Sequence, residues 1–285
     1  MKSNSRRAAI ASLSCLFFAF GLHAAVAGTS VPSEKNKTAA AATPLRWRGE
    51  AFPANQVSQL RYRELAAERI LKVQQNNAAR RMKPTQSGIA RTASSEGIAA
   101  ALPALRWTKT RDGGSVSRIE VTSPVALGLR VGLQVGALNS RAELRFAGSS
   151  NPNRIVAMMT GSEIARLADP RGIFWTPDTE GEKQIIEIYL PAGIPASGVR
   201  LQAPLLSHLL VNSLDDAKII EKAGFGQSGA CNVNTVCRVA ELGPDYVSAK
   251  NAVAHMVFTY PNGSSFICSG TLLADTVTTS QIPYF

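Results

Sequence analysis

The chain has 285 residues, 45% hydrophobic and 18% charged, a globular composition that excludes a disordered or fibrous protein. That length accommodates a leader and one or two domains with cores of their own. The net charge of +11 would permit contact with nucleic acid or an anionic surface, but many of the basic residues lie between Arg46 and Lys83 with Glu50, Glu64 and Glu68 interleaved. A solvated helix face accounts for them, and no base-reading aromatic pattern accompanies the charge, so nucleic acid is not an expected partner.

Lys2, Arg6 and Arg7 precede a short apolar run, Ala8 to Leu22, and Ala25-Val26-Ala27 fits the small-residue rule for signal cleavage after Ala27. The run is too short for a durable membrane anchor, and no other stretch is long and apolar enough to span a bilayer. A lipidated Cys15 is disfavoured because Ser12 stands where such sites carry leucine. Residues 1–27 are therefore expected to be a signal peptide, and the product secreted or periplasmic without stable membrane insertion.

Gly28 to Thr43 has no periodic apolar face and reads as a linker. Val57 to Met82 carries no Gly or Pro, shows a patchy amphipathic face and is stopped by Pro84, so a helix is predicted there. The Gly/Ser/Thr/Ala-rich passage to Ala101 reads as a second linker, with Arg80-Arg81 and Arg91 as candidate processing sites. Residues 28–101 are thus expected to be linker plus helix.

From Leu105 to Val211 the pattern changes to short alternating runs, among them Val116 to Val121, Leu127 to Val135, Ala142 to Phe146 and Gln184 to Leu190, broken by Gly, Pro and Asp turns. Ser162 to Ala168 reads as a short helix capped by Ser162. Residues 102–222 are expected to form an antiparallel β-sandwich, making the chain mainly β. Trp175-Thr176-Pro177 with Glu180-Gly181-Glu182 could line a ligand site; a buried Trp beside a turn is the plainer account. Sandwiches also serve as binding modules, so a secreted non-enzymatic binding domain is the rival function. Leu214 to Lys222 reads as a short helix, followed by the Gly-rich stretch Ala223 to Gly229.

Of the three histidines, His23 falls in the signal peptide. His208 lies on an apolar element as a hydrogen-bonded core or edge residue, and His255 sits in a strand without the surroundings of a general base. Ser264, Ser265 and Ser269 lack the Gly-Asp-Ser-Gly-Gly setting that makes a serine nucleophilic. No residue is expected to be catalytic, and no spacing suggests a metal or a cofactor. With Cys15 set aside, Cys231, Cys237 and Cys268 remain as disulfide candidates in an oxidising compartment. A local Cys231–Cys237 bridge with Cys268 left free is one reading of that odd number.

The last stretch is two apolar runs, Ala252 to Tyr260 and Gly263 to Ala274, joined through Pro261-Asn262-Gly263. Asn-Gly is a strong hairpin signal because both residues tolerate positive φ. The second run contains Cys268-Ser269-Gly270-Thr271-Leu272-Leu273, which resembles the opening of the first β-barrel of trypsin-like serine proteases. Ser228 to Cys237 resembles the mature N-terminus of the bacterial lysyl endopeptidase branch, and Phe174-Trp175-Thr176-Pro177 with Ile186-Glu187-Ile188 resembles, more loosely, the sandwich preceding such proteases. The resemblance implies a propeptide up to residue 222, cut near Lys222, and an incomplete trypsin-like barrel over 223–285. It implies that each of the three cysteines pairs with a partner further along, and that the catalytic His/Asp/Ser set lies beyond Phe285. The 285-residue polypeptide would then be an inactive N-terminal fragment. Complete relatives would cleave protein or peptide substrates after Lys or Arg, and the fragment itself could chaperone or inhibit an intact protease in trans.

Overall fold

The computed structural model describes residues 44–49, 52–79, 83–98, 102, 104–212, 240–241, 243, 246 and 252–271. The expectations placed on the signal peptide and Ala27, on Arg80-Arg81, on the 214–222 helix and Lys222, and on Cys231 and Cys237 fall outside them. Two sheets face each other. The first runs β1 (Ser58–Arg61), β4 (Ser115–Thr122), β10 (Lys183–Leu190), β6 (Glu143–Gly148), β7 (Ala157–Thr160), with β3 (Thr108–Lys109) also on β4. The second runs β12 (Val253–Thr259), β13 (Ser265–Thr271), β2 (Thr85–Thr92), β11 (Arg200–Leu209), β5 (Gly128–Ala137), β8 (Ile173–Trp175), with β9 (Thr179–Glu180) on β5. The protein is mainly β, as the sequence predicts. All pairings are antiparallel except β1 with β4, which is parallel.

Period-2 alternation builds the core. Ile119 and Val121 of β4, Ile186 and Ile188 of β10, and Leu144 and Phe146 of β6 point inward from the first sheet. Leu129, Val131 and Leu133 of β5, Leu206 of β11 and Phe174 of β8 meet them from the second. Phe146 and Phe174 touch across the gap with ring centroids 6.3 Å apart. Each fully buried Leu, Ile or Phe contributes roughly 1.5–3 kcal/mol. Polar stitching closes one end: buried Gln184 accepts from Thr176 Oγ1 (2.8 Å) and donates to Pro177 O (2.9 Å), while Thr176 Oγ1 accepts from Val131 N (2.9 Å). Thr176 therefore joins the two sheets, which is a structural role for the Trp175-Thr176-Pro177 string.

Three expectations need correction. Val57 to Met82 is not one helix: 58–61 is β1, and α1 spans Ala67–Ala79. Leu60 and Tyr62 are buried while Gln59 and Arg61 face out, a strand period that the longer helical pattern hid. The second "linker" contains strand β2, flanked by β11 and β13. Arg91 on it is 3% exposed and paired with Glu96 (Nη2 to Oε2 2.5 Å), so it is no exposed processing site. Finally, α2 (Gly161–Leu167) is capped by Thr160 and not Ser162: the Thr160 hydroxyl accepts from Glu163 N, and the Glu163 carboxylate accepts from Thr160 N (2.7 Å), a reciprocal capping box.

Trp47, Arg48, Gly49 and Phe52 form a strap along the outer face of the first sheet. Glu187, wholly buried, accepts from Arg48 N (2.7 Å), Gly49 N (3.1 Å) and Arg118 Nε (3.1 Å). The Arg118 guanidinium lies over the rings of Trp47 (4.7 Å) and Phe52 (5.3 Å). A buried carboxylate is tolerable only with donors on every side, and here the strap supplies two of them.

Candidate functional site

The site that stands out is the seam where the β12–β13 hairpin meets the second sheet. Its turn is built on Pro261-Asn262-Gly263: Gly263 N donates to Tyr260 O (2.8 Å) and Tyr260 N to Ser264 O (2.9 Å). Gly263 alone takes positive φ (95°), while Asn262 holds the turn through its side chain, Oδ1 accepting from Ser264 N (2.9 Å). That is a three-residue loop with glycine in the left-handed position.

Alternation then gives the hairpin two unlike faces. Thr259 pairs with Ser265 on one face, and Phe258 with Phe266 on the other. Phe258, Phe266 and Tyr260 cluster there, with centroids 4.8–5.9 Å apart.

The hydroxyl face meets a trough of small residues. By register, Gly88 and Ala90 of β2, Ser207 of β11 and Gly132 of β5 lie on the outer face of the second sheet. Ser265 pairs with Gly88, Phe266 with Gln86 and Ile267 with Thr85, so β13 extends the sheet at the β2 edge. Ser265 Oγ lies 2.7 Å from both Ser207 Oγ and Thr259 Oγ1, and both serines are wholly buried. A Cβ on Gly88 would come within 2.9 Å of Ser265 Cβ, and one on Gly263 within 3.2 Å of Ala90 Cβ. The backbones approach because those side chains are missing.

Two arginines reach up to the hairpin. Arg130 Nη1 donates to Thr259 Oγ1 (3.0 Å) and to Val257 O (3.3 Å), and its Nε to Thr176 O (2.9 Å). Burial lowers the Arg130 pKa below its ordinary value, with the Asp178 charge opposing. Arg171 Nη2 donates to Pro261 O (2.9 Å), and its Nε to Asp169 Oδ2 (2.9 Å).

A second polar cluster has the residue types of a hydrolytic site without its chemistry. His208 Nδ1 lies 2.8 Å from Ser123 Oγ, and Arg91 Nη1 donates to that oxygen (2.6 Å). A carboxylate that orients and charges the imidazole would have to meet Nε2, which has no hydrogen-bond partner among the described residues, while Arg91 places a positive charge on the serine oxygen instead. Burial above all, with the charges of Arg91 and Arg69, pushes the His208 pKa down to about 4, too low for a base at neutral pH. Ser123 and His208 are wholly buried, so no substrate reaches them. His208 is the hydrogen-bonded core histidine that the sequence predicts.

The structure describes the backbone of His255 in β12 and not its side chain. Cys268 in β13 is a half-buried free thiol, opposite Met256. Ser264, Ser265 and Ser269 sit at the hairpin, with no His side chain among their hydrogen-bond partners in the described residues. Trp175, half-buried, lies against Gly132 and the Gly263 turn, so the hairpin takes the place of the ligand considered for it. Among the described residues no three His, Cys, Asp or Glu side chains could hold a metal, and no helix is long and apolar enough to cross a membrane. A shallow open depression near Leu138, Asn139, Ile194 and Val199 has no titratable lining. The sequence missed Arg130, Arg171 and the Gly88 trough; the signal was two glycines, Gly88 and Gly132, at strand positions where another backbone passes close.

The family model for the lysyl endopeptidase N-terminal domain matches residues 61–210, and that for the lysyl endopeptidase C-terminal domain matches 225–285. A lysyl endopeptidase of Pseudomonas aeruginosa is 33% identical over 177 residues, 60% of this chain and 36% of that protein, so the chain spans little more than a third of that relative. Among solved structures, the Aeromonas hydrophila protein PliG, a periplasmic inhibitor of g-type lysozyme, is similar over 53% of this chain and 95% of its own, at 10% identity and a TM-score of 0.22. That likeness is too slight to bear on fold or function.

Proposed function

The chain belongs to the lysyl endopeptidase family, and on that premise we propose that it is the N-terminal part of a secreted serine endopeptidase precursor. The observation that carries the reading is that both family domains adjoin in one chain, with a seam between them. Residues 44–212 act as the pro-domain, and 225–285 open the protease domain, whose first hairpin the pro-domain seats. The signal peptide directs export and is removed by cleavage after Ala27, and maturation follows a cut near Lys222. The reaction is peptide-bond hydrolysis after Lys or Arg in chains that carry the full catalytic set. We read the 285-residue polypeptide as inactive, a reading supported by the burial beside Arg91 of the one Ser/His contact among the described residues.

The test is expression in an exporting bacterium. N-terminal sequencing of the product is expected to begin at Gly28 in the unprocessed form and between Ala223 and Ser228 in the matured piece. Lysyl and arginyl esters are expected to remain intact with the 285-residue chain. Ester turnover by this chain alone would overturn the inactive assignment, and an uncleaved product retained in the cytoplasm would overturn the precursor reading.

A further inference from the structure

We propose that the β2 edge and the trough beside it form a strand-addition site that binds the 252–271 hairpin as a separable body, reading its main chain rather than its large side chains. The contacts sort that way. Strand pairing from Ser265 to Ile267 is main chain, and the arginines aim at carbonyls, Arg130 at Val257 and Arg171 at Pro261. Side chains contribute two hydroxyls, Thr259 and Ser265, and the bare α-carbon of Gly263. Phe258, Tyr260 and Phe266 pack on one another rather than supplying the polar contacts. The partner class is therefore an extended β-hairpin with glycine in its turn and hydroxyls flanking it.

The donors are held from their own side. Arg130 is anchored through Nε to Thr176 O, and Arg171 through Nε to Asp169. They stay aimed when the hairpin is absent, so little ordering entropy opposes rebinding. None of these contacts uses residues 213–251, which link the two bodies. A cut in that connection leaves the hairpin in its seat, and a second copy of the same hairpin can replace it. The inference uses the seam's geometry and not peptide hydrolysis, so its test reads binding alone.

A recognition sequence for an unrelated site-specific protease is placed between Lys222 and Ser228 of the full chain, which is then cut and run on native gel filtration at micromolar concentration. The two pieces are expected to elute together, and a labelled synthetic peptide of residues 252–271 to exchange into the complex. With Arg130→Met and Arg171→Met together, retention is expected to weaken at least about tenfold, from the loss of charge-assisted bonds. Gly263→Val, which leaves the sandwich untouched, is expected to weaken it likewise and keeps the test valid if the double variant fails to fold. Separation of the unmodified pieces overturns the proposal, as does undiminished retention by the Gly263→Val chain.

Discussion

A histidine beside a serine is only as basic as its third neighbour permits. At His208 burial weighs most and the nearby Arg91 guanidinium adds to it, so the neutral ring is the folded form, its Nδ1 sharing a hydrogen bond with Ser123 Oγ. The ordinary histidine pKa is about 6.5. Between that value and the folded value of about 4, the unfolded chain binds a proton that the fold refuses. Stability from this site is therefore complete above pH 6.5, declines as pH falls toward 4, and has lost on the order of 3 kcal/mol there. His208→Gln is expected to remove that component: urea midpoints of the two proteins, compared from pH 7 to 4.5, converge as the pH drops. Parallel curves would show that the imidazole is not the titrating group. Glu187 answers a related question on the other sheet. Glu187→Ala leaves Arg118 without its carboxylate and two strap amides without an acceptor, with an expected loss of about 3 kcal/mol in denaturant unfolding.

The hairpin is the element where backbone geometry sets the outcome. Gly263→Ala forces a Cβ onto a left-handed position and into Ala90, at a cost of about 1–2 kcal/mol. Hydrogen exchange is expected to quicken at residues 264–267 and 85–88 while 115–122 and 183–190 keep their protection; uniform quickening would mean that the hairpin and sandwich open together. The Asn-Gly turn was legible because its signal is local, and so were β4, β5, β6 and β10, whose alternation follows burial of one face. β2 was not. Thr85 to Thr92 has the composition of a linker because Gly88 and Ala90 must let another strand pass, while Ile89 and Arg91 on the opposite face serve the core. Small residues that mean flexibility in isolation mean close approach here, and only the tertiary partner distinguishes the two. β1 was lost to a competing period, its buried Leu60 counted toward a helix face. The seat's arginines, Arg130 in β5 and Arg171 in the turn before β8, stand among many basic residues and carried no sequence signal.

At the scale of the whole molecule, the question is how many neighbours a strand can have. A strand has two edges, and those of β13 are taken by β12 and β2. Closing a sheet into a barrel requires each strand to pair on both sides within the barrel. If β12 and β13 open the protease barrel, β2 occupies the place of that barrel's next strand, and the catalytic domain closes only after β13 exchanges β2 for its own neighbour. Thr85 and Ile267 are register partners, so cysteines at both positions can tie the two strands together. In a precursor that carries the whole protease domain, the tied form is expected to lack peptidase activity and to regain it on reduction, with the untied parent active throughout. Full activity in the tied form would show that β2 and a closed barrel can share β13. An inactive parent would instead count against the hydrolytic reading and leave the strand arithmetic standing.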